Sequence, residues 1–326
     1  MTMRIHIVLI TALIFWTCQD SKSSDTAEEK DSALYSTDGV LTNISERVYN
    51  DDESVQAYSE FSWKSDGSNR ILNGNGIPNH EVGTFPNAHN PNTISEQNVS
   101  KRFTLTPSIV SENGVALGGP AGAIAYAINS VKFDPATAGR CDDAGNCSLA
   151  RGQGNWSIEA LGHNTFDFGD DMNHAHVQPT GAYHYHGMPE LLIDLLGQDM
   201  SMTLVGWASD GFPVYARYGY KEANDSNSGI VSMKPSWRLK SSPDANRPST
   251  VVQLSGGPNQ GNSSPNTPIA MGAFTQDFEY VEGSGDLDRC NGRIGVTPEF
   301  PNGIYYYMVT DDFPFFSRCL RGDLSS

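Results

Sequence analysis

Residues 172–189 read M-N-H-A-H-V-Q-P-T-G-A-Y-H-Y-H-G-M-P, and this stretch decides how the surrounding chain is interpreted. Two H-x-H pairs flank a short turn, and side chains at positions i and i+2 of a strand point to the same face of a sheet. Pro179–Gly181 suits a three-residue hairpin loop that ends with a glycine in the left-handed conformation. Such a loop pairs Gln178 with Ala182 and fixes the register of the two strands.

In this register His176 lies opposite His184, and His174 lies opposite His186. All four imidazoles then share one face. A four-residue loop would shift the register by one residue and divide the pairs between two faces. Four neutral imidazoles on one face are a natural site for a borderline transition metal such as zinc or copper. The sequence therefore predicts a metal site on this hairpin.

Acidic residues just before the hairpin leave its chemistry open. Asp167, Asp170 and Asp171 are candidates to anchor the imidazoles, to complete a coordination sphere, or to be the partners of purely structural histidines. His163 is a further candidate ligand. Asp171 and His163 form a second group of candidate site residues, together with Asp210, a carboxyl group in a Ser-Asp-Gly-Phe-Pro stretch that is also typical of a turn.

The rest of the chain predicts a mainly β fold: a single, sandwich-like, β-rich domain with long loops and one or two short helices. Tyr183 and Tyr185 alternate with the histidines and are expected to face an apolar layer. Helical periodicity is confined to Glu190–Leu196. Apolar, β-branched or aromatic segments bounded by turn residues predict strands; they include Ala123–Val131, Thr203–Trp207, Val214–Tyr220 and Ile304–Thr310.

A weak internal repeat relates Pro179–His186 to Pro301–Met308 through the pattern P-x-G-x-Y-x-Y-x. One interpretation is a pair of related hairpins in the core of one domain. The alternative is that Pro-x-Gly followed by aromatic residues is simply a common hairpin sequence.

The charge and the N-terminal region indicate export. The chain of 326 residues has 21 Lys and Arg against 38 Asp and Glu, a net charge of -17, which disfavours a nucleic-acid partner. Residues 1–18 contain a short apolar run behind Arg4 and predict a signal peptide, with Cys18 as a candidate lipidation site. Residues 19–55 are acidic and serine-rich and predict a linker, which leaves 56–326 as the folded domain. We expect contact with a membrane only through the lipid anchor, at the outer membrane or cell surface; otherwise the protein is periplasmic or secreted.

Four further cysteines, an even number in an exported chain, predict disulfides. We prefer Cys141–Cys147 and Cys290–Cys319 among the three connectivities, because the first pair would close a short local loop. Zinc binding by cysteines is a weaker alternative, since no C-x-x-C pair is present.

The motif Tyr183–His186 within T-G-A-Y-H-Y-H-G-M-P resembles the signature of the YHYH-domain family, whose members are mostly exported or surface proteins. Three further blocks, in the expected order, extend the resemblance over roughly residues 100–322; they are Ala127–Ala136, Gly206–Tyr215 and Asp288–Arg293. Many relatives carry a second Y-H-Y-H near the C terminus, where this chain reads Tyr305–Met308. The resemblance leaves residues 173–186 as the main candidate site, and it names no reaction.

Three functions fit these observations. The first is an exported metal-binding protein in which the four histidines hold copper or zinc. The second is a metal-dependent hydrolase or oxidase, although no H-E-x-x-H, G-x-S-x-G or phosphate loop is present. The third is a surface adhesion or binding domain with structural calcium, for which Asp286–Gly292 and Asp142–Asn146 weakly resemble calcium loops.

Overall fold

The computed structural model describes residues 43–116, 123–197, 200–256 and 265–324. The predicted signal peptide and Cys18 lie outside these residues. In chain order the strands are β1 (Ile44–Asn50), β2 (Ala57–Ser65), β3 (Asn69–Gly74), β4 (Val99–Thr104), β5 (Val115–Ala116), β6 (Ala125–Ala127), β7 (Lys132–Phe133), β8 (Arg140–Cys141), β9 (Asn146–Ser148), β10 (Trp156–Ser157), β11 (Ala175–Val177), β12 (Tyr183–Tyr185), β13 (Thr203–Ala208), β14 (Pro213–Ala216), β15 (Tyr218–Tyr220), β16 (Ile230–Ser232), β17 (Trp237–Leu239), β18 (Gln253–Ser255), β19 (Phe278–Tyr280), β20 (Gly292–Gly295), β21 (Ile304–Val309) and β22 (Cys319–Leu320). Helix α1 spans Glu190–Leu196, and a 3₁₀ turn spans Thr275–Asp277.

An eight-stranded mixed sheet carries the histidine hairpin at one end. Its strand order is β11-β12-β7-β6-β13-β14-β21-β20. Strands β6 and β13 pair antiparallel in the middle, β7 pairs parallel with β12, and β14 pairs parallel with β21. Read outward from the middle, the two halves have the strand orders β6-β7-β12-β11 and β13-β14-β21-β20. In both halves the third and fourth strands in the chain are exchanged in the sheet. The sheet is consequently built from two topologically equivalent halves, related by an approximate twofold axis between β6 and β13.

Backbone details of the two end hairpins repeat as well. His174 precedes β11 with a φ of 51°, and Asn291 precedes β20 with a φ of 56°. The carbonyl of His174 accepts the N–H of His186 at 2.8 Å, and the carbonyl of Asn291 accepts the N–H of Met308 at 2.8 Å. The P-x-G-x-Y-x-Y-x segments therefore belong to equivalent hairpins at opposite ends of one sheet.

A second, four-stranded sheet of order β1-β2-β3-β4 packs against the middle of the larger sheet. The Phe103 ring lies 6.3 Å from the Tyr126 ring, and the Trp63 indole donates to the Ile128 carbonyl at 2.8 Å. Residues of both sheets share one apolar core. The mainly β prediction is confirmed. No helix in the described ranges is long and apolar enough to cross a membrane.

Strand β1 corrects the predicted boundary of the linker, because Ile44–Asn50 lies inside 19–55. Every residue of β1 pairs with β2, and the Asn50 side chain donates to the carbonyls of Pro78 and His80 at 2.9 and 2.8 Å. An edge strand exposes most of its side chains and is stabilised by backbone pairing, so it can have a polar composition. The polar composition of residues 19–55 therefore gave no indication of this strand.

Local turns also shorten two predicted strands. Ala123–Val131 contains only β6, because Ser130 adopts a φ of 67° and turns the chain back towards β7. Val214–Tyr220 is divided into β14 and β15 by Arg217, whose φ is 57°. The helix at Glu190–Leu196 has the predicted bounds.

Both predicted disulfides are present. Cys141–Cys147 joins the adjacent strands β8 and β9, and Cys290–Cys319 connects the residues before β20 to β22. Covalent links of this kind are typical of proteins outside the reducing cytosol.

Candidate metal centre

The hairpin β11–β12 has the register that its turn predicts. His176 is paired with His184, the N–H of Gln178 donates to the Ala182 carbonyl at 2.9 Å, and Gly181 has a φ of 83°. A residue with a side chain would be strained at this φ, which explains the glycine. Histidines from both strands therefore project from the same face of the sheet.

Three imidazoles converge on one point. Nε2 of His186 lies 3.0 Å from Nε2 of His184 and 3.1 Å from Nε2 of His176. Nitrogen ligands about 2.0–2.1 Å from a tetrahedral zinc ion are about 3.3 Å apart, so the spacing is close to that of a metal site. Among the described residues, these three histidines form the one group of His, Cys, Asp or Glu side chains that fits a metal ion.

The opposite ring nitrogens of His184 and His176 face acceptors, as expected for metal ligands. Nδ1 of His184 lies 3.3 Å from the carbonyl of Ala182. Nδ1 of His176 lies 2.7 Å from Oδ1 of Asp170, at an angle outside that of a directed hydrogen bond, so this contact is mainly electrostatic. With protons on Nδ1, the Nε2 lone pairs of both rings point to the common centre.

Burial favours the uncharged forms of His184 and His186. Burial lowers the pKa of His184 well below its ordinary value, and the neighbouring imidazoles lower it further. Burial likewise lowers the pKa of His186 to about 3. Burial alone would raise the pKa of Asp170, but the adjacent His176 outweighs it and the pKa is lowered. Neutral imidazoles beside a carboxylate are the protonation states that a divalent cation requires.

His174, the fourth predicted ligand, does not join the cluster. Its left-handed backbone turns the side chain away from the pleat, and its Nδ1 lies 3.0 Å from the Met188 carbonyl. The ring instead lines a separate cavity of about 220 Å³, together with Leu161 and Phe315. The prediction of four convergent imidazoles is therefore wrong for this residue, because alternation along a strand applies only where the backbone is extended.

The second group of candidates lies in other hydrogen-bond networks. His163 uses both ring nitrogens within its own loop, with Nε2 2.8 Å from the Glu159 carbonyl and Nδ1 accepting the N–H of Thr165 at 3.2 Å. Burial lowers its pKa. Asp171 accepts the hydroxyl of Tyr183 at 2.7 Å, on the opposite face of the hairpin from the imidazoles.

Asp210 lies in the turn between β13 and β14, in the other half of the sheet. Its Oδ2 accepts the Tyr307 hydroxyl at 2.6 Å and the N–H of Gly322 at 2.9 Å, so it anchors the C-terminal segment. Burial raises its pKa, and no contact joins it to the histidine cluster.

The two calcium-like loops use their carboxylates internally. Asp142 accepts backbone N–H groups of Ala144 and Asn146 at 3.0 and 2.8 Å. Asp288 accepts the N–H of Cys290 at 2.9 Å and the Arg321 guanidinium at 2.8 Å. These carboxylates cap turns and form ion pairs, so their geometry does not favour calcium.

A polar group beside the cluster was missed from the sequence. Lys132 of β7 is next to His184, and its Nζ donates to Oε1 of Gln178 at 2.7 Å. Gln178 in turn donates to Oδ2 of Asp134 at 2.9 Å. Burial lowers the pKa of Lys132. Because β7 and β12 are parallel and distant in sequence, no local pattern indicates this proximity.

One protein family matches this chain: a family described as "YHYH protein", over residues 101–322. The chain belongs to the YHYH protein family. Comparisons with curated proteins and with solved structures return no match.

The YHYH signature has a direct structural meaning in this chain. The tyrosines Tyr183 and Tyr185 are buried in the apolar core, as predicted, while His184 and His186 lie in the cluster on the other face. In the second half of the sheet, Tyr305–Met308 lies in β21 and presents no imidazole.

Proposed function

We propose that this YHYH protein is an exported metal-binding protein that holds one transition-metal ion through Nε2 of His176, His184 and His186. The observation that supports the proposal is the convergence of three imidazoles, in which Nε2 of His186 lies 3.0 Å from Nε2 of His184 and 3.1 Å from Nε2 of His176. A cation at their centre would be coordinated by the Nε2 lone pairs of all three rings at once.

Zinc and copper are the metals of choice, because imidazole ligands suit both and the site contains no thiolate. Asp170 contributes a carboxylate beside Nδ1 of His176, and its negative charge strengthens the imidazole as a ligand. Three protein ligands leave a further coordination position for water or substrate, which is the requirement for hydrolytic or oxidative chemistry. Metal binding is required for hydrolytic and for oxidative chemistry alike.

The test is the metal content of the exported protein. The full chain, with its own leader, is expressed in an oxidising compartment, because a chain that begins at residue 56 would lack β1. Bound metal is measured by plasma mass spectrometry for the parent and for His184→Ala with His186→Ala. His174→Asn is the matched control, because Asn291 has the same left-handed backbone in the equivalent hairpin.

We expect about one zinc or copper per chain in the parent and in His174→Asn, and none in the double variant. Equal metal content in all three proteins would place the ion elsewhere. A folded parent without a transition metal would refute the proposal and leave the histidines as structural groups. Loaded protein is then assayed with ester and phosphoester substrates and for oxygen consumption, which separates binding alone from hydrolase or oxidase activity.

We also propose that Cys18 becomes the lipid-modified first residue of the mature protein. The apolar segment behind Arg4 and the acidic residues that follow support an anchored, exported domain. Mass spectrometry of the mature N terminus should identify a lipid-modified cysteine, and Cys18→Ser should release the protein from membranes. An unmodified N terminus in the soluble fraction would show that the protein is secreted without an anchor.

A further inference from the structure

A buried arginine lies between the two sheets, away from the histidine cluster. Arg70 belongs to β3, and its side chain is 2% exposed. The guanidinium carbon lies 3.2 Å from the centroid of the Trp207 ring, which is 1% exposed. Stacking on an indole stabilises a guanidinium, but it satisfies none of its N–H donors.

Three buried N–H donors of this stacked pair have no acceptor among the described residues. Nε and Nη1 of Arg70 and Nε1 of Trp207 are buried and have no hydrogen-bond partner among the described residues. The same residues offer no carboxylate in an ion pair with Arg70. Buried polar groups are nearly always paired, and an unpaired buried charge costs several kcal/mol. Such a cluster of donors indicates an acceptor that the folded chain does not itself supply.

The one ionisable group that interacts electrostatically with Arg70 among the described residues is already hydrogen-bonded elsewhere. Tyr215, which interacts electrostatically with Arg70, donates its hydroxyl to Glu299 at 2.7 Å and is 2.8 Å from Oγ1 of Thr297. Burial lowers the pKa of Arg70 to about 9, yet its side chain remains protonated at neutral pH. The positive charge is therefore present, and no carboxylate of the described residues neutralises it.

The equivalent position in the other half of the sheet provides a contrast. Tyr126 pairs with Trp207 across the approximate twofold axis, and Nζ of Lys101 lies 5.4 Å from its ring centroid. Lys101 is exposed, so water solvates its charge. Both halves thus place a cation near an aromatic ring, but only the Arg70 cation is enclosed.

We propose that Arg70 and Trp207 form a binding site for a small oxyanion, of the carboxylate, sulfate or phosphate class. A guanidinium matches the planar or tetrahedral oxygens of these ions, and the indole N–H adds a neutral donor. The site is distinct from the metal centre, because Trp207, Tyr126, Lys132 and His184 follow one another across adjacent strands. Three strand spacings amount to about 14 Å.

The experiment titrates the mature protein with sodium phosphate, sodium sulfate and sodium acetate at low millimolar concentration, with chloride keeping the ionic strength constant. Binding is followed by calorimetry and by the thermal midpoint. Arg70→Met removes the charge, and Trp207→Phe removes only the indole N–H while keeping a ring under the guanidinium. Arg102→Met on the neighbouring strand is the matched control, since Arg102 is exposed and paired with Asp66.

We expect saturable binding of at least one of the three anions to the parent and to Arg102→Met. Affinity should fall about tenfold in Trp207→Phe, as for loss of one hydrogen bond to a charged group, and binding should disappear in Arg70→Met. A parent that binds none of the anions would overturn the proposal and leave Arg70 as a stacked structural cation. Equal binding by the parent and Trp207→Phe would exclude the indole from the site, and equal binding by Arg70→Met would refute the site altogether. If Arg70→Met does not fold, Trp207→Phe and the parent titration decide alone.

Discussion

Acid should destabilise this protein partly through a histidine outside the candidate metal centre. His80 is 6% exposed; Nδ1 lies 2.8 Å from the Glu81 carbonyl, and Nε2 lies 2.6 Å from the hydroxyl of Tyr185. A neutral ring meets both partners, with Nδ1–H donating and Nε2 accepting. Burial lowers the pKa of His80 to about 4, from 6.5 in the unfolded chain.

The sign and size of the effect follow from this difference in pKa. Below pH 6.5 His80 becomes protonated in the unfolded chain, whereas in the folded protein it becomes protonated only near pH 4. The free energy of unfolding therefore decreases as the pH falls through this range. Between pH 7 and pH 5 the loss attributable to His80 is about 2 kcal/mol.

The assay is urea unfolding, followed by tryptophan fluorescence at pH 7 and pH 5, with a chelator present to remove metal linkage. His80→Gln keeps an oxygen that accepts the Tyr185 hydroxyl but does not titrate in this range. The other groups titrate alike in the parent and in the variant. The difference between the two proteins in the pH dependence of the free energy of unfolding therefore reports on His80. We expect the variant to lose about 2 kcal/mol less than the parent. Equal pH dependence, within about 0.5 kcal/mol, would refute the reasoning.

Three further predictions concern the fold. Arg247→Met should cost about 3–5 kcal/mol in urea unfolding, because it leaves Asp277 charged and buried, and Asp277→Leu in the same chain should recover much of this loss. Replacing Cys290 and Cys319 together by alanine should cost about 2–4 kcal/mol, seen as a lower thermal midpoint, whereas an unchanged midpoint would mean that the bridge does not restrict the unfolded chain. His174→Val should cost about 1–3 kcal/mol because a β-branched residue resists a positive φ, while His174→Asn should be nearly neutral by the same measurement.

The histidine hairpin was predictable because its determinants are local. Pro179–Gly181 specifies the turn, the turn specifies the register, and the register places His176 beside His184. The positive φ of His174 was not predictable, because it depends on how the chain enters β11. A sequence pattern that assumes extended backbone therefore adds one ligand too many.

Contacts between distant segments were beyond the sequence for a different reason. Lys132 reaches the cluster through parallel pairing of β7 with β12, and Arg70 reaches Trp207 through packing of one sheet on another. Asp170 and Asp171 are adjacent in sequence, yet the first contacts an imidazole and the second a tyrosine on the opposite face. Which carboxylate approaches the site is decided by the path of a loop and not by its composition.

Comparison of the two halves of the sheet distinguishes the residues that build its frame from those that form the candidate metal centre. Asp171 accepts a hydrogen bond from the Tyr183 hydroxyl at 2.7 Å, and Asp288 accepts one from the Tyr305 hydroxyl at 3.1 Å. Equivalent tyrosine–aspartate hydrogen bonds therefore support both end hairpins. Because this hydrogen bond is present in the hairpin with imidazoles and in the hairpin without them, the tyrosines of the YHYH signature stabilise the sheet.

The histidines have no such structural necessity. Where the first half pairs His176 with His184, the second half pairs Arg293 with Tyr306, and Nε of Arg293 donates to the Tyr306 hydroxyl at 2.5 Å. A hairpin of this frame is therefore stable with a guanidinium and a phenol at these positions. Because the equivalent hairpin forms without imidazoles, and because two of the three clustered imidazoles are buried, their convergence in one half supports the proposed metal site.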